Sequence, residues 1–257
     1  VEDPPASPAT RPHASIIVPT YNEADGIATL IRRLDDVRER SGIDLELVIV
    51  DDASPDGTAR AAHALEAPWV HVVERRAPRS LAGAVLDGFA RAASDVLVVM
   101  DADLTHPPSA VPELIAAVRA GAPIAVGSRY AAGGSTDPDW PALRRAASIL
   151  GTGLVRPIAR TTDPLSGFFA IRRDVLDAAG PIRERGFKIG LEIIVRAGVR
   201  GIADVPIQFV DRKRGESKAS AREATRFLLQ VIRLYAVAAR RVLAPPRRAR
   251  AVAAPRE

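Results

Sequence analysis

A chain of 257 residues with 47% hydrophobic content can bury one large α/β core or two small ones. The absence of cysteine excludes a disulfide framework, a thiolate metal site and a cysteine nucleophile, and leaves the compartment open with the cytosol favoured. The net charge of +5 is uneven: residues 236–257 hold Arg240, Arg241, Arg247, Arg248, Arg250 and Arg256 against Glu257 alone, which suits an anionic surface. Aromatic residues make up only 4%, with no zinc-finger spacing and no RNP-like motif, which argues against a nucleic-acid partner.

In chain order, residues 1–13 are polar and Pro-rich and read as a disordered leader. Apolar runs rich in Val and Ile then recur at 14–20, 45–52, 69–73, 95–103 and 123–128. Between them lie helical patterns such as ADGIATLIRRLDDVRER, whose Ile27, Leu30, Ile31, Leu34 and Val37 share one face and for which Asn22 is the expected N-cap. This alternation predicts an α/β fold, a mostly parallel sheet with helices on both faces. Ligands of such sheets bind outside the carboxyl ends of the strands. Polar residues occupy those ends: Tyr21, Asn22 and Glu23; Asp51 and Asp52; Asp101 and Asp103; Arg129.

No stretch reaches the roughly 18 uninterrupted apolar residues of a spanning helix. SKASAREATRFLLQVIRLYAVAARRVL instead reads as one amphipathic helix ended by Pro245 and Pro246. At 100° per residue Arg222, Arg226, Arg233 and Arg240 fall within about 40° of one another, opposite Phe227, Val231, Leu234, Tyr235 and Ala238. Such a helix either lies at a membrane interface or packs its apolar arc on the domain.

Two aspartates one residue apart at the end of an apolar strand are costly unless something pairs with them. In an extended segment Asp101 and Asp103 point to one side, where Mg²⁺ or Mn²⁺ carrying a nucleotide diphosphate would pair with both. His106 beside them is either a ligand or base, or a structural member of the HPP turn. The chain contains neither GxGxxG nor GxxxxGK[ST], which argues against a dinucleotide oxidoreductase and a P-loop enzyme.

The ordered set IIVPTYNEADGI, IVDDASPDGT, VVMDADLTHPP, VGSRY, DPLSGFFAIRRDVL, GFKIGLEIIVRA and DRKRGESKAS resembles family 2 glycosyltransferases of GT-A (Rossmann-like) fold. More narrowly it resembles the dolichol/polyprenol phosphate mannosyltransferases, with DPLSGFF and FKIGLEI favouring mannose transfer. The resemblance implies inverting transfer of mannose from GDP-mannose to a polyprenyl monophosphate, dependent on Mg²⁺ or Mn²⁺, at the cytoplasmic face of a membrane. It implies a nucleotide-sugar site of Pro19, Tyr21, Glu23, Asp51, Asp52, Asp101, Ala102, Asp103 and Arg129, with Asp101 and Asp103 on the metal. Arg129, Arg144, Arg212, Ser217 and Lys218 would gather the acceptor phosphate, and Asp103, Arg129, Arg212 and Lys218 would carry catalysis. Where the family commonly has Gln, this chain has Thr105, so no third protein contact to the metal is implied.

The expected organisation is a transferase domain over 14–218, the amphipathic helix over 219–243 and a basic disordered tail over 244–257. A separate membrane-anchor subunit is a further partner compatible with the lack of a spanning helix. Rival readings are transfer of glucose or another sugar from a UDP or GDP donor, and a catalytically silent interaction subunit of the same fold.

Overall fold

The computed structural model describes residues 12–182, 188–210 and 221–243. The five expected strands form as β1 (Ala14–Thr20), β2 (Leu45–Asp51), β3 (Val70–Glu74), β4 (Val96–Val99) and β5 (Ile124–Ser128). Two short strands join them, β6 (Phe169–Arg172) and β7 (Ala203–Pro206), making one sheet of order β3-β2-β1-β4-β6-β5-β7. The sheet is mixed, because β6 runs antiparallel to both β4 and β5 while the other pairings are parallel. Every residue of β1, β2 and β5 is buried, so apolar side chains face both sides of the sheet, and the buried Glu46 carboxylate within β2 accepts from Ser15 Oγ at 2.5 Å.

Helices α1 (Ala24–Ser41), α2 (Thr58–His63) and α4 (Val111–Arg119) contribute to the core on one face, with Ile16, Val18, Leu47 and Ile49 pointing into it. On the other face, Ile17, Leu97 and Val99 meet α3 (Leu81–Arg91), α5 (Ala142–Ala159), α6 (Arg173–Ala179), α7 (Ile189–Ala197) and α8 (Ala221–Leu243). The alternation along β1 follows from the two-residue period of a strand. Helix α3 lies close to β1: a Cβ on Gly88 would fall 2.4 Å from Ile17 Cγ2.

Helix α1 buries the five residues its periodicity named, Ile27, Leu30, Ile31, Leu34 and Val37. Its start departs from the sequence reading. Asn22 is not the N-cap; it adopts φ 58° one residue earlier, and Glu23 occupies the cap position without its side chain capping the helix. The exposed N–H groups are capped from the β2–α2 loop instead: Ala24 N donates to Asp56 Oδ2 at 3.0 Å and Glu23 N to Thr58 Oγ1 at 2.9 Å. Two strand ends are thereby tied together.

Helix α8 divides its apolar residues between two arcs. Val231 and Leu234 are buried, with Phe227 and Ala238 packed beside them against the domain. Leu228, Ile232 and Tyr235 form a second row, 52%, 57% and 37% exposed. Tyr235, placed by its spacing with the packed residues, sits at the border and donates its hydroxyl to Leu154 O of α5 at 2.6 Å. No helix among the described residues is long and apolar enough to cross a membrane.

Candidate active site

The carboxyl ends of β2, β1 and β4 lie side by side, and β5 ends on the same edge because it runs parallel to β4. Antiparallel β6 begins at that edge, so its lead-in, residues 161–168, enters between β4 and β5. The strand-end residues named from sequence therefore share one edge with the DPLSGFF segment, of which no residue was named for the site.

At the β1 and β2 ends, Pro19 is buried within its strand and Tyr21 is 39% exposed, with the Arg79 guanidinium 4.2 Å from its ring centroid. Asp51 is buried and accepts from Thr20 Oγ1 at 2.9 Å, Ser54 Oγ at 2.6 Å and Ser54 N at 2.9 Å. Ser54 Oγ in turn accepts from Asn22 N at 3.0 Å. Asp52 is paired with buried Arg75 and accepts from Ser80 N at 2.8 Å, while Arg75 Nε reaches Asp87 Oδ2 at 2.6 Å. Burial works against the Arg75 charge, but Asp87 and Asp52 raise its pKa above the ordinary arginine value. Gly83 makes room for this guanidinium, since a Cβ there would lie 2.5 Å from Arg75 Nη2. Both carboxylates are thus engaged within the chain before any ligand arrives.

The Asp pair sits in a turn rather than in the extended segment expected. Strand β4 ends at Val99, residues 102–106 bend, and Leu104 has φ 63°. The cause is local: Asp101 N donates to His106 Nδ1 at 3.0 Å, so its hydrogen bond goes to an imidazole instead of a neighbouring strand. Asp103 Oδ1 accepts from Thr105 N at 3.1 Å and Thr105 Oγ1 at 2.6 Å. Thr105 is buried, and its N–H and hydroxyl both orient Asp103. Ala102 is buried between the two.

His106 is buried and stacked on Phe168, ring centroids 5.1 Å apart. Burial is the main influence pushing its pKa below the ordinary value, aided by Arg129 and Lys188 and opposed by Asp101 and Asp103. A neutral ring whose Nδ1 accepts must carry its proton on Nε2, which lies 3.8 Å from Asp101 Oδ2. Of the two sequence readings, the geometry matches the structural one. Gly167 permits the close approach of the β6 lead-in, its Cβ position being 3.4 Å from His106 Cε1 and 3.6 Å from Asp101 Oδ2.

Arg129 leaves β5 and is forked by Asp163, with Nε to Oδ2 at 2.7 Å and Nη2 to Oδ1 at 2.9 Å. Asp163 is fully buried and also accepts from Arg129 N at 3.2 Å. Burial opposes the Arg129 charge, yet the hydrogen bonds and charge of Asp163 raise its pKa above the ordinary value. Its Cζ lies 5.3, 5.8 and 5.5 Å from the ring centroids of Tyr130, Trp140 and Phe209. Arg144, half-buried on the first turn of α5, stands 4.3 Å from the Trp140 centroid. Arg129 and Arg144 therefore meet at one indole. Arg212, Ser217 and Lys218 lie outside the described residues.

Asp163 and Lys188 were missed as site residues. Burial pushes the Lys188 ammonium below the ordinary lysine range, with Asp101 pulling it back, Arg129 adding to the fall and Asp163 again opposing it. Both belong to segments already singled out, DPLSGFF and FKIGLEI, but an aspartate before proline and a lysine before a helix carry no spacing signal of their own.

A second missed feature is backbone strain. Asn22, Ala53 and Leu104, following β1, β2 and β4, have φ of 58°, 55° and 63°. Asparagine tolerates this region, but alanine and leucine pay for it, about 1–3 kcal/mol each. Three of the five non-glycine residues with positive φ among the described residues thus follow adjacent strand ends at this edge.

Comparison with known proteins agrees with this geometry. Residues 15–180 match the Glycosyl transferase family 2 model. The chain belongs to that family. Among family 2 relatives it is close to the dolichol/polyprenol-phosphate mannosyltransferases. A Dolichol-phosphate mannosyltransferase of Pyrococcus furiosus is 40% identical over 225 residues, covering 86% of this chain and 63% of that protein. An Undecaprenyl-phosphate mannosyltransferase of Micrococcus luteus is 39% identical over 215 residues, covering 79% and 86%. In fold, the chain resembles a mannosyltransferase from Pyrobaculum calidifontis in complex with GDP-Man and Mn²⁺, with TM-score 0.63 at 24% identity over 90% of this chain and 70% of that one.

Proposed function

We propose that the protein transfers mannose from GDP-mannose to a polyprenyl monophosphate, inverting the anomeric carbon. The observation that carries this reading is the convergence, at one sheet edge, of the Asp101–Asp103 turn with the Arg129–Trp140–Arg144 cluster. Relatives at about two-fifths identity named for lipid-phosphate mannosyl transfer support it.

Asp101 and Asp103 would hold a Mg²⁺ or Mn²⁺ ion. The donor set fits, because such ions take one or two carboxylates and complete their shell with phosphate oxygens and water. Among the described residues no cluster of three or more metal-ligating side chains competes for this role. When held there, such an ion would supply positive charge against the negative charge that builds on the departing diphosphate. Tyr21, Glu23 and Pro19 line the end where the nucleoside would sit, with Asp51 and Asp52 fixing their loops.

Glycosyl transfer passes through an oxocarbenium-like transition state. An acceptor phosphate oxygen forms the new bond to the anomeric carbon as the bond to the diphosphate oxygen breaks, and GDP leaves with that electron pair. A phosphate monoester has a second pKa near 6 and is largely dianionic at neutral pH, so no general base is required. This agrees with a neutral, buried His106. The difficulty is bringing one anion to another, which the cations Arg129, Arg144 and Lys188, with Arg212 and Lys218, would relieve.

The acceptor's lipid explains the surface nearby. Leu143, Ile149, Leu150 and Leu154 of α5 are 82%, 56%, 76% and 44% exposed, and adjoin the exposed row of α8 through the Tyr235–Leu154 bond. With exposed Arg226, Arg233 and Arg240 on α8, this face suits an anionic bilayer at the cytoplasmic side.

The test is transfer of label from GDP-mannose to a polyprenyl monophosphate in detergent, with Mn²⁺ or Mg²⁺ and with chelator. Metal-dependent labelled lipid is expected. Labelling from UDP-glucose alone would replace the donor, and no transfer from any nucleotide sugar would favour a silent subunit.

A further inference from the structure

Among the described residues two buried side-chain atoms lack a hydrogen-bond partner, Trp140 Nε1 and Thr152 Oγ1. Thr152 lies about 15 Å along α5 from its first residue, where a helical hydroxyl can turn onto the carbonyl of the preceding turn. Trp140 has no such local recourse, because an indole N–H is a donor only and cannot reach its own backbone. It is 6% exposed, meets Phe209 edge-on at 5.5 Å and packs against the guanidinium groups of both Arg144 and Arg129. A buried donor left unmade is costly, and its presence in a native structure calls for a reason.

We propose that Trp140 is a further ligand of the acceptor phosphate, its indole N–H donating to a phosphate oxygen of the lipid monophosphate gathered by Arg129 and Arg144. This deepens the acceptor reading above and rests on it. The chemistry explains why a neutral donor belongs there. Asp163 takes the Nε–H and one Nη2–H of Arg129 and offsets its charge, leaving three of the five guanidinium N–H groups, so a further neutral donor helps to satisfy a phosphate with three acceptor oxygens. An indole N–H adds a hydrogen bond without adding charge that would hold the product in place.

The N–H is closed to solvent, so the phosphate reaches it only as the segment before α5 parts from Phe209. That segment is pinned at Ser135 by two backbone bonds, Ser135 N to Ile207 O and Phe209 N to Ser135 O, each 3.0 Å, and by Gln208 Nε2 donating to Gly133 O at 2.8 Å, so the parting is confined to residues 136–140. Phosphate binding and a change in the surroundings of Trp140 are therefore coupled.

The experiment is calorimetric titration of the full chain with farnesyl monophosphate, alongside the emission of Trp140 in a Trp69→Phe background, Trp69 being the other tryptophan. Wild type should bind with a saturable change in Trp140 emission. Trp140→Phe, which keeps an aromatic ring and removes the N–H, should bind about tenfold more weakly, the scale of a hydrogen bond to a charged acceptor. Its acceptor KM should rise while kcat and GDP-mannose affinity hold. An isosteric benzothiophene in place of the indole should reproduce the loss, and decides the matter if the Phe variant folds poorly. Equal binding by wild type and the isostere would overturn the inference, placing the N–H on the Phe209 ring as packing. Failure of wild type itself to bind farnesyl monophosphate would overturn the acceptor reading and this inference together.

Discussion

The two halves of the sheet edge are built on different plans. Around β1, β2 and β4, carboxylates are fixed by neighbours in short loops: Asp51 by Ser54, Asp103 by Thr105, Asp56 by Thr58. Around β5 and β6, groups distant in sequence are joined, Arg129 to Asp163 and Trp140 to Phe209. The first half is a rigid anionic seat, with strain stored at Asn22, Ala53 and Leu104. The second is a cationic, ring-lined patch whose charge is already partly neutralised and whose flank opens onto two exposed apolar helices. Under the proposed function the difference has a reason: a seat for a metal–diphosphate demands fixed geometry, whereas a seat for a lipid phosphate must admit a ligand arriving from a surface.

Breaking the two halves separately should give separable losses. Asp101→Asn or Asp103→Asn is expected to lower turnover on the order of 10²–10³-fold, the range for removing one group that stabilises a developing charge, with metal-dependent GDP-mannose binding lost in calorimetry. Asp163→Ala should instead act on the fold as well as the site. It leaves the Arg129 charge buried and unpaired, costing about 3–5 kcal/mol, read as a lower denaturant midpoint.

The division within α8 sharpens the comparison further. Val231→Asp should destabilise the chain by a few kcal/mol through its buried row, whereas Ile232→Asp, on the exposed row, should leave the midpoint within about 0.5 kcal/mol and reduce flotation with anionic liposomes. Equal stability losses in both would mean that the outer row also packs.

The smallest effect is the cap. Burial works against Asp56, but bonds from the Thr58 side chain, Ala24 N and Thr58 N outweigh it and lower its pKa below 3.8. A depressed folded-state pKa contributes stability above the unfolded value that is lost as pH falls through the folded one. Asp56→Asn should therefore flatten the acid limb of a pH–stability curve below about pH 4, leaving the neutral region little changed.

Much of the first half was legible in the sequence because its chemistry is local. A strand end followed by DD or DAD announces itself, and the five buried residues of α1 follow directly from period 3.6. The capping of α1 was not legible, because its partners Asp56 and Thr58 come from the next strand's loop. Strands β6 and β7, four residues each, are too short for a period to show. Asp163 acquires meaning only when the antiparallel β6 brings its lead-in to the same edge, and Lys188 and Trp140 only when the starts of α7 and α5 are brought near Arg129, long-range events with no sequence period. The positive φ values at Ala53 and Leu104 were equally silent, since glycine is the residue such backbone ordinarily announces.

The most direct test of the two-seat account is a crossed binding measurement on two variants. GDP-mannose with Mn²⁺ and farnesyl monophosphate are each titrated into Asp101→Asn and Arg129→Ala. The account predicts that Asp101→Asn loses the first ligand and keeps the second, and that Arg129→Ala keeps the first and binds the second at least tenfold more weakly, about 1.4 kcal/mol. Loss of both ligands in either variant, with its fold intact, would contradict the account and make the edge a single site.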